Sequence, residues 1–330
     1  MFDLIYTFVT DIYISAQSYI YEWVLQPIAF KLGLGGLMED GYEASGWLVV
    51  GFFQILVMVL VFRPLERLRP VEPVAHTKAV YTDMIYTAIH RLGFFRLFFF
   101  FTVQPIFDNV FGWLHTQGLG TAQLDDLIPG LTDIPWVSFI LYLVVFDFLG
   151  YWVHRAQHQW SWWWALHAVH HSQRQMTLWS DDRNHILDDV IHAGIFALVA
   201  LLIGVEPAQY VAIVFLTKLS ESFQHSNLRI SFGKFGEYLW VSPRFHRIHH
   251  GIGVGHEFSE GVLGGHNFAL LLPIWDILFK TALFENRYPS TGIRDQIDDS
   301  VDYGEGFWSQ QRLGLKRLSD SIFRRRANLN

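Results

Sequence analysis

Sixteen histidines occur in the 330 residues, and thirteen of them lie between His154 and His266. Their spacing is regular. His154-Arg-Ala-Gln-His158 sets two imidazoles four residues apart, whereas His167-Ala-Val-His170-His171 and His246-Arg-Ile-His249-His250 each set three at i, i+3 and i+4. Residues three and four apart share a helix face, so each group presents two or three imidazoles in one direction. That is what a metal site requires. The three groups supply eight ring donors, and His225, in Gln224-His225-Ser226-Asn227, is a ninth candidate. A single zinc takes four ligands, and a catalytic zinc leaves one position open. Eight or nine nitrogens therefore suit two metals. A zinc-protease reading fails because that motif needs a glutamate after its first histidine, and Arg155 stands there. Imidazole serves Fe, Cu, Zn and Ni alike, so donor chemistry alone leaves the metal open. A carboxylate accompanies the first group: Asp147 lies seven residues before His154 in an apolar run. An ionisable group within such a run is usually functional, and Asp147 is expected to accept a ring N–H of His154 or His158.

These groups need elements to hold them, and composition says of what kind. Apolar residues make up 51% of the chain and charged residues only 17%, against about a quarter charged in a soluble domain. The deficit calls for a second, apolar solvent. A net charge of −7 argues against nucleic acid, which selects a basic face. The absence of cysteine excludes disulfides, thiolate metal sites and a cysteine nucleophile. Asp3, Asp11 and Glu22 give the start of the chain no basic region, so no cleavable signal peptide is expected.

Apolar runs cover 47–62, 94–114 (with Pro105 as a kink), 135–153, 189–204 and 208–223. The last two are joined by Gly204-Val205-Glu206-Pro207, a turn signal that makes them a helical hairpin. Several runs are shorter than the roughly 20 residues of a full span, so tilted or shallow helices are an alternative and the expected count is four or five. Lys and Arg are missing from 97–153 and 185–216, and the first 46 residues hold one, Lys31. The positive-inside rule then puts the N-terminus and the 115–134 loop outside and the histidine segments on the cytoplasmic face. The expectation is an all-α, multi-pass integral membrane protein of a bacterial inner membrane or endoplasmic reticulum, with about four transmembrane helices and a histidine-rich cap. A soluble all-α bundle is the competing reading. Residues 1–134 would form the membrane anchor, 135–285 the catalytic domain, and 286–330 a polar surface extension ending in Arg324-Arg325-Arg326, a possible headgroup contact.

The combined pattern resembles the sterol desaturase / fatty acid hydroxylase superfamily over roughly 138–281. The resemblance includes Asp147 and Tyr151 ahead of His154-Arg155, Leu166-His167-Ala-Val-His170-His171-Ser172, and His225-Ser226-Asn227. It continues through Ser242-Pro243-Arg244-Phe245-His246-Arg247-Ile248-His249-His250 and closes with Trp275-Asp276-Ile277-Leu278-Phe279-Lys280-Thr281. Members of the superfamily more often carry glycine where Lys280 stands. The resemblance implies a helical membrane anchor under a cytoplasmic cap, two iron ions (Fe2+/Fe3+) and O2 as co-substrate. It further implies hydroxylation or desaturation of a lipid (sterol, fatty acyl or related) drawn from the bilayer. Electrons would come from a separate donor, a cytochrome b5, ferredoxin or flavin reductase.

By the same resemblance His185, beside Asn184 and Arg183, is expected as a ligand or pocket residue. Glu221 stands where some relatives carry a histidine four residues before the His225 equivalent. It is expected to ligate metal or to orient His225 through its ring N–H, a helix-surface carboxylate being the alternative. His266 lies near a segment that approaches the site in relatives but is not expected to ligate. His192 is expected to bond a neighbouring helix, His256 to stand alone in a glycine-rich loop, and His76, His90 and His115 to lie at surfaces or interfaces. Trp160, Trp162, Trp163, Trp164 and Trp179 fit an interfacial aromatic belt. Two other function classes carry similar residues. A metal-dependent membrane lipid hydrolase would share the cage and turn over without O2, and a metal transporter or sensor would place its histidines within spans.

Overall fold

The computed structural model describes residues 2–95, 98, 102, 104–118, 130 and 134–327. Helices dominate: α1 (Phe2–Ile20), α2 (Gln26–Lys31), α3 (Met38–Val57), α4 (Arg63–Leu68), α5 (Thr77–Arg91), α6 (Gln104–Thr116), α7 (Pro135–Gln159), α8 (Ser161–His171), α9 (Ile186–Leu202) and α10 (Pro207–Gln224). After these come α11 (Gly233–Gly236), α12 (Pro243–His249), a hairpin of β1 (Glu257–Ser259) and β2 (Val262–Leu263), then α13 (Ile274–Leu278), α14 (Arg294–Asp298) and α15 (Phe307–Ala327). Contacts divide the chain into two units, Met1–Val57 with Ala88–Gln117, and Met58–Thr87 with Gly118–Asn330.

In the first unit α1 packs on α3, and Gln17 donates its side-chain N–H to the carbonyl of Tyr42 at 2.9 Å. The second unit carries every histidine box. Pro135, at the first helical position of α7, has no N–H to leave unsatisfied there. The apolar run behind it continues as helix to Gln159, so that one rigid element bears Asp147, His154 and His158. Tyr142, Leu143 and Phe146 of α7 form the core with Ile213 of α10 and Leu271, and Phe196, Val199 and Tyr210 pack against it. Helices α9 and α10 thus lie on α7, with Gly204 between them in the left-handed region at φ 66°.

Two helical runs among the described residues, Ala44–Leu68 and Pro135–Gln159, are long and apolar enough to cross a membrane. The hairpin limbs α9 and α10 are 17 and 18 residues long, short of a full perpendicular span. The expected run at 94–114 lies partly outside the described residues. The 115–134 loop lies mostly outside them, as do the side chains of Arg324, Arg325 and Arg326. The segment from 286 is not a loose surface extension. Helix α15 packs along α8, Arg317 donates to the carbonyl of Ala165 at 3.2 Å, and Gln311 reaches Tyr86, Asn184 and Ile186. Its polarity misleads because these side chains bond inward, to Tyr86, to α8 just ahead of its histidines and to the backbone that leads into α9.

Candidate metal centre

Each box sits where a helix can aim it. His154 and His158 occupy the last turns of α7. His167, His170 and His171 end α8, one tight corner later. His225 caps α10, His246 and His249 lie in the short helix α12, and His250 caps its C-terminus. Ser242 sets the start of α12: its hydroxyl accepts the N–H of Phe245 at 3.1 Å, an N-cap bond followed by Pro243 at the first helical position. The loop between the second box and α9 is fixed from below. Glu66 accepts the N–H of Leu178 at 2.7 Å and of Asn227 at 2.6 Å, and Asp83 pairs with buried Arg183.

The boxes do not each make a site; they exchange members. His154, His158, His171 and His249 form one group, and His170, His225, His246 and His250 form another. Within each, one ligand atom from every residue lies within 4.8 Å of the others, and all eight residues are buried. In the second group the Nε2 atoms converge: His170 to His225 is 3.1 Å, His225 to His246 is 3.0 Å and His246 to His250 is 3.2 Å. Nitrogens bound to one metal at about 2.1 Å are separated by about 3.0–3.4 Å, from octahedral to tetrahedral geometry. Hydrogen bonding does not explain the convergence. The Nδ1–H of His225 donates to the carbonyl of Glu221 at 2.7 Å, so its Nε2 holds a lone pair and accepts one hydrogen at most. Two imidazole nitrogens crowd it.

Outward bonds fix the inward donors. His154 Nδ1 donates to the carbonyl of Phe268 at 2.9 Å and His249 Nδ1 to that of His266 at 2.7 Å. A ring that donates from Nδ1 presents its Nε2 lone pair to a metal. Among the described residues, Nε2 of His249, both ring nitrogens of His158 and His171, and Nδ1 of His170, His246 and His250 are buried without a hydrogen-bond partner. A buried donor or acceptor left so costs about 1–3 kcal/mol, and a metal is the economical remedy for the inward-facing nitrogens. The residues present fit two metal ions. Burial first, and neighbouring imidazoles second, hold His170, His171, His246 and His250 well below the usual histidine range. Burial likewise pushes His249 down to about 3. The rings are therefore neutral, as ligands must be. Gly255 lets the glycine-rich loop close over this region, since a Cβ there would lie 1.3 Å from the carbonyl oxygen of His249.

His167 falls outside both groups. Its Nδ1 lies 3.1 Å from Asp188, whose carboxylate also accepts Gln157 at 2.8 Å and Trp163 at 2.6 Å. Its buried Nε2 is likewise unpartnered among the described residues, and its ring lies 5.1–5.3 Å from those of His154, His158, His170 and His171. His167 is thus placed by Asp188 where it could serve as a further donor beside the first group. The sequence reading missed Asp188, although a carboxylate opening an apolar helix was the signal for it. It also missed Asp181, whose oxygen lies 3.7 Å from His225 Nδ1.

Other expectations need correction. Asp147 does not accept an N–H from His154 or His158. Its carboxylate takes the backbone N–H of Leu271 at 2.8 Å and Leu272 at 3.1 Å, and the indole N–H of Trp275 at 2.8 Å. His185 is not a metal ligand, because both ring nitrogens are already used. Nδ1 accepts the N–H of Leu187 at 3.1 Å as the N-cap of α9, and Nε2 donates to the carbonyl of Gln311 at 3.0 Å. Glu221 meets His225 through its backbone carbonyl, while its carboxylate lies 2.7 Å from Lys218. With His192, Asp181 and Asp188 it lines a polar cavity of about 70 Å³ beside the cage. The tryptophans are not all a belt. Buried Trp163 serves Asp188, and Trp164 lies 5.1 Å from His158 and stacks on His256 at 5.3 Å. His256 is buried against that ring rather than isolated.

Comparison with known proteins follows the same segment. Residues 139–281 match the fatty acid hydroxylase family. The human alkylglycerol monooxygenase is 28% identical over 166 residues, covering 50% of this chain and 35% of that protein. An ornithine lipid hydroxylase of Rhizobium tropici is 28% identical over 154 residues, covering 47% of this chain and 44% of that one. A Delta(7)-sterol-C5(6)-desaturase of Nicotiana tabacum is 24% identical over 128 residues, covering 36% and 45%. The matched stretch thus spans less than half the length of these relatives. No solved structure matches. With the motifs, the match and the relatives falling on the same boxes, residues 139–281 are a fatty acid hydroxylase domain of the sterol desaturase / fatty acid hydroxylase superfamily.

Proposed function

We propose that the protein is a membrane-bound oxygenase that holds two iron ions in its histidine cage and uses O2 with two electrons to hydroxylate or desaturate a lipid. The observation that carries this reading is the pair of buried four-histidine groups, each with the nitrogen count of one metal ion. Zinc has no redox chemistry, whereas the relatives are a monooxygenase, a hydroxylase and a desaturase, so a redox metal suits the site better. Bound iron would supply the reduction of O2 and the oxidising power needed against an unactivated C–H bond. Hydroxylation balances as RH + O2 + two electrons + two protons to ROH + water. Desaturation takes the same inputs and releases an alkene and two waters.

The chain's own residues do the rest. The carbonyls of Phe268 and His266 and the carboxylate of Asp188 fix ring orientation. The ring of Phe268, 5.2 Å from that of His158, walls the first group with hydrocarbon and limits water there. Glu221, Lys218 and Asp181 line a cavity of about 70 Å³ that touches histidines of both groups, and its size suits water better than an acyl chain. The lipid would come from the bilayer along the helices that carry the boxes, and electrons from a separate cytochrome b5, ferredoxin or flavin reductase.

The test is elemental analysis of detergent-purified protein, followed by anaerobic reduction and exposure to ¹⁸O2 in the presence of membrane lipids. About two irons per chain and an O2-dependent lipid product are expected, with ¹⁸O in the lipid if it is hydroxylated. Stoichiometric zinc with lipid turnover in the absence of O2 and reductant would overturn the reading in favour of the hydrolase.

A further inference from the structure

The segment from Phe268 to Thr281 follows α7 down and back up. Phe268 lies at the level of His154, whose Nδ1 its carbonyl accepts. Leu271, Leu272 and Trp275 meet Asp147, seven residues earlier on the helix and so about 10 Å further along its axis. Phe279 then stacks on Tyr151 at 5.4 Å and meets Trp152 at 4.8 Å. Thr281 closes the return with its hydroxyl 3.0 Å from that of Tyr151. At the neck, Asn267 N–H donates to the carbonyl of Thr281 at 3.0 Å, and the Asn267 side-chain oxygen accepts the N–H of Leu283 at 2.7 Å.

Irregular backbone at membrane depth is tolerated only where its polar groups are satisfied within the protein. Here they are. Buried Asp276 accepts the N–H groups of Phe268 at 2.9 Å and Ala269 at 2.8 Å, and the hydroxyl of Thr281 at 2.6 Å. The carbonyl of Leu270 takes Gln224 at 2.7 Å and that of Leu271 takes Val241 N–H at 2.8 Å. Proline at 273 has no N–H to satisfy. In contrast to these inward backbone bonds, the side chains of Ile274, Ile277 and Leu278 are exposed, at 40%, 37% and 58%. The charges stand at the return: Lys280 is exposed, and the Arg155 guanidinium lies over Trp152 at 5.4 Å, both able to reach an interface.

We propose that residues 268–281 form a re-entrant loop that enters the hydrocarbon layer beside α7, with Ile274, Ile277 and Leu278 in contact with acyl chains and Asp147 as its anchor. This rests on the membrane placement of α7 in the proposed function. It explains why a carboxylate occupies the middle of an apolar span without touching a histidine. It also makes the segment that meets lipid the same one that aims His154.

The chain has no cysteine, so single labels are clean. Ile277→Cys and Leu278→Cys would carry a nitroxide in nanodiscs, with Ile140→Cys on α7 as the lipid-facing control and Arg312→Cys on α15 as the aqueous one. Collision with O2 against a water-soluble nickel chelate reads depth. The loop positions are expected to match Ile140, favouring O2 by several-fold over Arg312. Loop labels that behave like Arg312 while Ile140 remains lipid-facing would overturn the loop and leave the membrane reading intact. If Ile140 is also aqueous, both fall. Photolabelling of the unsubstituted protein with a bilayer-confined diazirine gives a second readout: modification within 274–278 is expected, and its absence alongside a labelled α7 would overturn the loop.

Discussion

The two halves of the cage use the same residue type on shared helices, yet they are held differently. In the first half, His154 and His249 are aimed by the carbonyls of Phe268 and His266, a stretch of irregular backbone. Aromatic rings surround it: Phe268 faces His158 and His249, and Trp164 lies beside His158 and His171. In the second half, His225 is aimed by a carbonyl of its own helix, with Asp181 close by. The cavity lined by Lys218 and Glu221 meets three members of that half, His170, His225 and His246, and one of the first, His154. The surroundings of a metal tune its potential and the acidity of bound water. Equal ligand counts therefore do not make equal sites, and two metals held here would differ in release and reduction.

Neighbouring substitutions break the comparison most sharply. His249 and His250 are adjacent in sequence but belong to opposite halves. His249→Ala and His250→Ala are each expected to lower metal content from about two to about one per chain. Activity should fall on the order of 100-fold or more, since loss of an outer-shell partner alone costs about 10–100-fold. Elemental analysis checks this, and loss of both metals from either variant would mean that the halves form one coupled site.

Asp188 comes next. Asp188→Ala removes the acceptor that orients His167 and leaves both four-histidine groups intact. A loss of about 10–100-fold in metal affinity or activity is expected, read by chelator competition. An unchanged affinity would remove His167 from the metal centre.

Acid offers a milder probe of both halves. The folded chain holds His249 down to about 3, against about 6.5 in an unfolded chain. Between those values only unfolding takes up the proton, so stability rises with pH there. The contribution is complete above about pH 6.5 and is lost as the pH falls through the window. His170, His171, His246 and His250 shift in the same direction. The thermal midpoint of chelator-treated protein should therefore fall steadily from pH 7.5 to pH 5. A flat profile would mean that the rings are hydrated and the burial argument is wrong.

What the sequence made legible follows from range. The box histidines were readable because i, i+3 and i+4 spacing is a local property of one helix, and α7 was readable as an uninterrupted apolar run. The exchange of members between boxes was not, because it depends on how α7, α8, α10 and α12 meet. Asp147 shows the limit well. Its place on the helix was read correctly, but its partners are more than 120 residues away, so the nearest histidine in sequence was the wrong one. His185 failed for a related reason: the carbonyl that occupies its ring comes from α15, a helix whose polarity read as a surface extension. His185→Ala should accordingly cost about 1 kcal/mol of stability, as lost N-caps do, with metal content unchanged. Loss of metal in that variant would restore it as a ligand.

The smallest expected effect sharpens the view of the first half. Lys280 sits at φ 58°, a left-handed conformation that costs a residue with a Cβ about 1–2 kcal/mol and that glycine adopts freely. This gives a physical reason for the glycine that members of the superfamily more often carry before the matching threonine. Lys280→Gly should relieve that strain, offset in part by the greater entropy of glycine in the unfolded chain. A net gain of up to about 1 kcal/mol follows, or roughly 1–3 °C in thermal midpoint for a chain of this size. The turn lies one residue before Thr281, which closes the neck of the segment that aims His154. If the variant gains stability with metal content unchanged, the neck bonds of Asn267 and Thr281 hold the segment in place and the strained turn does not. If metal is lost, and only from the first half, the turn itself sets the position of Phe268, and the two halves differ in mechanical support as well as in surroundings.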